Sequence, residues 1–190
     1  MSVESSNERM ASPAPAAASD AALIAAWQAG DEGAATELVR RHTRALARFL
    51  AGAGAPEADL DDVVQDTFVR AFRGLERFRG QCRFRTWLLA IGANALRDLG
   101  RRAGRRAMVP LDGDVAAAGG DPHEETVARE AETRLAAGLR TLSPLQREVF
   151  LLRAQQGLDY GDIAVALDTT EGAARVHYHH AVKRLKEWLA

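Results

Sequence analysis

Cysteine is nearly absent from this chain of 190 residues, which has only Cys82. A lone thiol excludes an internal disulfide framework and any zinc site built on cysteines. Lysine is almost as scarce, since 23 of the 25 basic residues are Arg and only Lys183 and Lys186 are Lys. Aromatic residues make up 6% of the chain, and Val and Ile together number 15 against 38 Ala. Sheets draw on β-branched and aromatic side chains, so this shortage argues against an α/β or all-β fold and predicts an all-α one. No apolar run is long enough to span a bilayer, so no membrane insertion is expected. The first residues carry Glu4, Glu8 and Arg9 ahead of an Ala/Pro/Ser stretch and lack the apolar segment of a signal peptide. The expected location is cytoplasmic.

What the chain does have is segregated charge beneath a net charge of −1. Residues 1–69 sum to −6, residues 70–106 to +9, residues 107–127 to −5 and residues 128–190 to +1. Eleven basic side chains within 37 residues are the footprint of a surface that binds a polyanion.

Periodicity divides the chain into two small helical domains. Residues 1–18 are low in large apolar side chains and are expected to be a disordered tail. Domain one spans 19–106. Its short first helix, capped by Ser19–Asp20, carries Leu23, Ile24 and Trp27, and its second carries Leu38, Leu46, Phe49 and Leu50. A third helix, from about Ala58 to Gly74, places Leu60, Val63, Val64, Phe68, Ala71 and Phe72 on one face. Asp61, Asp62, Gln65 and Asp66 fall on the other face. A fourth helix, from about Phe84 to Gly104, is apolar at Trp87, Leu88, Ile91, Ala95 and Leu99 and basic toward its end. Residues 107–123, rich in Gly and acidic residues, read as a flexible linker.

Domain two spans 124–190. Ser143–Pro144 is a helix start, with a capping residue followed by Pro at the first helical position. Tyr160–Leu167, a turn at Asp168–Thr169 and a final helix capped by Thr170–Glu171 make a helix-turn-helix. In the final helix Ala174, Tyr178, Ala181, Leu185 and Trp188 form the expected buried stripe. Arg175, Val176, His179, His180 and Lys183 share the opposite face, with donors and a methyl-bearing side chain suited to base edges and phosphates in a major groove. The histidines have no cysteine or carboxylate converging in sequence, so no metal site is expected.

These residues resemble the extracytoplasmic-function (ECF) RNA polymerase sigma factors of the sigma-70 family. The strongest piece is DDVVQDTFVRAFRGLERFRGQCRFRTWLLAIGANALRD, from Asp61 to Asp98, which is similar to the family's second conserved region. LSPLQREVFLLRAQQGLDYGDIAVALDTTEGAARVHYHHAVKRLKEWL, from Leu142 to Leu189, is similar to its fourth. The resemblance implies that Asp62, Gln65 and Asp66 bind the β′ coiled coil of core RNA polymerase, with the β flap as a second contact. It implies a −10 promoter reader made of Arg79, Gln81, Arg83, Phe84, Arg85, Thr86, Asn94, Arg97, Arg101 and Arg102, with a base-capturing loop at Gly80–Cys82. Cys82 and Arg83 stand where the family usually has small hydroxyl residues. Thr170, Arg175, Val176, His179, His180 and Lys183 would read the −35 element as duplex. The linker would by resemblance thread toward the polymerase active-site channel, with Asp112, Asp114, Asp121, Glu124 and Glu125 mimicking nucleic-acid charge; the competing reading is a merely soluble tether. An anti-sigma factor is the implied regulatory partner, and promoter DNA the implied ligand.

No enzyme and no cofactor is expected, because nothing pairs a nucleophile with a base, cradles phosphate on a glycine loop or clusters metal ligands. The rival reading is a helix-turn-helix regulator that binds duplex DNA alone, with residues 19–106 as a sensor. A sensor has no need of eleven basic residues beside a loop carrying Phe and Trp, which favours the sigma-factor reading.

Overall fold

The computed structural model describes residues 18–106 and 133–189, and among them every regular element is helical. The expectations for the tail up to residue 17, for the linker at 107–123 and for 124–132 lie outside the described residues.

Helix α1 (Asp20–Gln28) starts where the Ser19 hydroxyl accepts the Ala22 N–H at 3.2 Å. Gly30, at φ 98°, turns the chain into α2 (Glu32–Ala53), whose cap Asp31 accepts the Gly33 N–H at 2.9 Å. Gly54 ends α2 in the left-handed conformation, and the Ala55 N–H closes back on the Leu50 carbonyl. A short 3-10 turn at Glu57–Asp59 precedes α3 (Leu60–Gly74), which starts two residues later than the sequence pattern suggests. After the loop at 78–83, α4 runs over Phe84–Arg106.

In the second unit, α5 covers 133–140 and α6 covers Pro144–Phe150. Ser143 and Gln146 form a capping box: the Ser143 hydroxyl accepts the Gln146 N–H, and the Gln146 side-chain oxygen accepts the Ser143 N–H. Helix α6 then widens into a π turn at Leu151–Gln155, a feature the sequence does not announce. The helix-turn-helix consists of α7 (Tyr160–Leu167) and α8 (Glu171–Leu189). Asp159 caps α7 by accepting the Asp162 N–H at 2.7 Å. Asp168 takes the left-handed conformation, φ 50° and ψ 55°, as the turn reading requires, and is the one non-glycine residue described with positive φ.

The apolar stripes meet as expected within each unit, with Leu38, Leu46, Phe49, Leu88, Val149, Leu152, Ile163 and Ala174 buried. One placement differs from the sequence reading: Trp188, expected in the buried stripe, is 51% exposed near the end of α8, where it edges against Gly138 of α5. The two helical units pack on each other: they share one apolar core, and α4 packs on α7 as extensively as on α3. Heptad-like spacing reports which face of a helix is buried but not which other helix buries it.

Candidate nucleic-acid interface

The loop between α3 and α4 is built on aromatic packing. Phe78 lies 4.9 Å from Trp87 and 6.1 Å from Phe84, and the His42 ring meets Phe84 edge-on at 5.2 Å. This cluster fixes the first turn of α4, so the loop closes over it with Gly80 at φ 68°. Above the cluster lies a cavity of about 320 Å³ lined by Phe78, Arg79, Gln81, Cys82 and Trp87, with Val165 of α7 at its edge. Burial, and then the nearby Asp162 carboxylate, push the Cys82 thiol above its usual range, so it stays protonated.

Of the ten side chains assigned by resemblance to the −10 reader, Arg79, Gln81, Arg83, Asn94, Arg101 and Arg102 are exposed. Arg101 pairs with Asp98 on its own helix. Phe84 and Thr86 are buried, with Thr86 fully inside and its hydroxyl lacking a hydrogen-bond partner. Phe84 is a packing residue in this structure. Its α4 position lets it plug the gap between His42 and Phe78. Arg85 and Arg97 turn toward the second unit. Arg85 donates to the Gln156 side-chain oxygen, and Arg97 bonds Asn94 at 2.7 Å and the buried Glu148 carboxylate at 2.9 Å.

On α3, Asp62, Gln65 and Asp66 are exposed together, one turn apart. Asp66 also pairs with Arg70 at 2.7 Å, and Arg70 reaches across to Asp98 of α4 at 2.9 Å. That ion-pair chain holds the Arg70 guanidinium more firmly charged and lowers the Asp98 carboxyl.

On α8, Arg175, Val176, His179, His180 and Lys183 are exposed on one face, and Val176 is 52% exposed. The Thr170 hydroxyl accepts the Ala173 N–H at 3.1 Å, so it caps the helix and keeps its own proton free to donate outward. Arg175 is held by Glu171 at 3.0 Å and lies over the Tyr160 ring at 5.1 Å. Arg153 faces the same ring at 5.0 Å. Sequence reasoning missed Tyr160 as a support for this face; its position three residues after Gly157, at the start of α7, was the available signal. It also missed Arg147, whose guanidinium donates to the Leu139, Arg140 and Leu142 carbonyls and to Ala53 of α2. Among the described residues, no three His, Cys, Asp or Glu side chains gather as a metal-ligand set.

The model of Sigma-70 region 2 matches residues 38–106, and that of Sigma-70, region 4 matches residues 133–185. The RNA polymerase sigma factor NccH of Alcaligenes xylosoxydans xylosoxydans is 34% identical over 171 residues, covering 87% of this chain and 92% of that protein. The ECF RNA polymerase sigma-E factor of Haemophilus influenzae is 31% identical over 82% of this chain and 87% of its own. CnrH, a sigma factor of Cupriavidus metallidurans, is 39% identical over 78% of this chain and 82% of its own. Its structure in complex with the cytosolic domain of CnrY aligns with a TM-score of 0.69 over 90% of this chain and 96% of that one. Both conserved regions stand in family order on the two helical units described above, and the chain belongs to the extracytoplasmic-function sigma factors of the sigma-70 family.

Proposed function

We propose that this sigma factor divides its work among three exposed faces. Asp62, Gln65 and Asp66 on α3 dock core RNA polymerase, their carboxylates pairing with Arg or Lys on the partner helices. The loop at 79–83 and the basic face of α4 hold the opened −10 strand: Arg101 and Arg102 grip phosphates, and the aromatic-floored cavity takes an unstacked base. The α8 face, with Arg175, Val176, His179, His180 and Lys183 and the Thr170 hydroxyl at its start, reads the −35 duplex in the major groove.

The observation that carries this reading is the α8 face, where a guanidinium is held in place by Glu171 and Tyr160 on a helix-turn-helix whose other face is core. Because a solved relative is bound to the cytosolic domain of CnrY, a protein partner of that kind, an anti-sigma factor, is proposed to restrain this chain too.

Run-off transcription with core polymerase on genomic fragments tests the reading. The expected result is a set of start sites sharing spaced −35 and −10 elements, lost when Arg175 or Gln81 is replaced. Tight, sequence-specific duplex binding by the protein without polymerase would favour an independent regulator instead.

A further inference from the structure

Helix α2 carries a charge that the totals for longer segments conceal. Residues 38–56 hold four Arg, at positions 40, 41, 44 and 48, and no acidic residue. Arg40, Arg44 and Arg48 stand four apart, so they share one face of the helix over about 12 Å of its axis. All three are exposed, on the side opposite the buried Leu38, His42, Leu46 and Phe49. Arg41 is turned partly inward and reaches Glu37 at 2.6 Å and Asp20 at 3.4 Å. Arg40 also holds Glu37, at 2.7 Å. Among the described residues, Arg44 and Arg48 have no ion-pair or hydrogen-bond partner.

A face that serves solubility alone mixes both signs and gains from pairs of opposite charge one turn apart; beyond Glu37 this one has neither. The helix dipole favours cations within the last turn of α2, so it does not account for Arg40 or Arg44.

We propose that the Arg40–Arg44–Arg48 face of α2 is a further nucleic-acid contact, a ladder that holds the sugar-phosphate backbone of promoter duplex adjoining the opened −10 segment. The inference rests on promoter binding as proposed above. Three features select this partner. No large apolar side chain is exposed on α2, so a protein partner would lack the apolar centre on which such interfaces are built. The rings of α2, His42 and Phe49, are both buried, so the face offers no platform for the unstacked bases of a single strand. What remains is a guanidinium at every turn, about 6 Å apart, with the small Ala47 and Ala51 beside them leaving room for a backbone to approach. Arginines so spaced can take successive phosphates of one strand, each through paired hydrogen bonds to anionic oxygens.

Arg40 can leave Glu37 for a phosphate without stranding that carboxylate, because Arg41 keeps it paired. Helix α2 packs directly on α4, the helix assigned the −10 strand, so the duplex within reach is the part next to the opened segment. A contact to backbone alone adds affinity and carries no base preference.

The test uses the full chain assembled with core polymerase on a promoter found by run-off transcription, with promoter affinity measured across a range of salt. In the Arg44→Gln/Arg48→Gln variant the slope of log affinity against log salt should become shallower by about 1.8, as expected for two lost phosphate contacts on duplex. The shift should be the same on promoters with altered −35 or −10 elements, and affinity for core polymerase without DNA should stay at the parent value. Arg44→Lys/Arg48→Lys, which keeps both charges, should restore the slope. Lys186→Gln, which removes an exposed charge outside every assigned face, should leave the slope unchanged.

An unchanged slope in the double Gln variant overturns the ladder. A comparable change in Lys186→Gln also overturns it, since the effect would then be one of net charge. Weakened assembly with core at an unchanged slope would make the face a protein contact and overturn it as well. Failure of the parent holoenzyme to bind any promoter removes the proposed function itself, and with it the ladder, and that failure is distinguished from one confined to the α2 variants.

Discussion

Arg175 lies over the face of the Tyr160 ring, 5.1 Å from its centre, while its guanidinium holds Glu171 at 3.0 Å. Helix α8 thus presents an arginine already oriented by two partners, which would lower the entropy lost on forming the proposed bidentate base contact. Arg175→Ala should cost about 1–3 kcal/mol of promoter discrimination and relax preference at one or two −35 positions. Tyr160→Leu should produce a smaller loss at the same positions. Arg101→Ala should weaken binding evenly across sequences and reduce its salt dependence, as loss of a phosphate contact does. Holoenzyme binding to a library of mutated promoters separates these outcomes.

The α3 face gives a second test. Gln65→Ala removes an exposed side chain and should weaken assembly with core polymerase while leaving the melting temperature unchanged. Asp66→Arg should weaken assembly further. Because Asp66 pairs with Arg70, which also holds Asp98, this reversal should also cost up to about 1 kcal/mol of stability. Core affinity measured beside thermal unfolding resolves the two effects, and unchanged affinity in both variants sinks the assignment of this face.

His42 predicts a pH dependence. Burial pushes its imidazole below the usual 6.5, outweighing the pull of the Asp20 carboxylate at 2.9 Å. The unfolded chain therefore binds the proton more readily than the folded one, and stability falls as pH drops through about 6.5. The loss levels off only below the lowered folded value. Carboxylates such as Glu37, held down at about 2 by Arg40 and Arg41, act in a separate, more acidic window: their stabilisation is full above about 4.5 and is lost progressively as pH falls from there through about 2. Thermal unfolding at pH 8 and pH 5.5 should show a drop that His42→Gln reduces.

The turn of the helix-turn-helix supplies a fourth prediction. Asp168 is left-handed, a conformation that glycine adopts freely and β-branched residues resist. Asp168→Gly should leave stability unchanged or raise it by up to about 1 kcal/mol, whereas Asp168→Val should lower it by about 1–2 kcal/mol. Denaturant unfolding measures both. An unaffected valine variant would mean that the turn adopts another conformation in solution.

Most of the candidate interface was legible from sequence because it lies on helix faces, where contacts are local. The 3.6-residue period alone separates Arg175, Val176, His179 and His180 from Ala174, Ala181 and Leu185, and the structure keeps that division. Capping at Ser19, Ser143 and Thr170 was equally legible, since each hydroxyl bonds an N–H three residues on.

What only the tertiary structure decided is the set of long-range partners. Glu148 and Arg97 are 51 residues apart and Gln156 and Arg85 are 71 apart, and no periodicity links helices across such distances. Phe84 and Thr86 flank Arg85 in sequence, yet α4 buries both, Phe84 against the rings of His42, Phe78 and Trp87. A helix pattern assigns a side chain to a face; which neighbour covers that face depends on how all the faces pack at once.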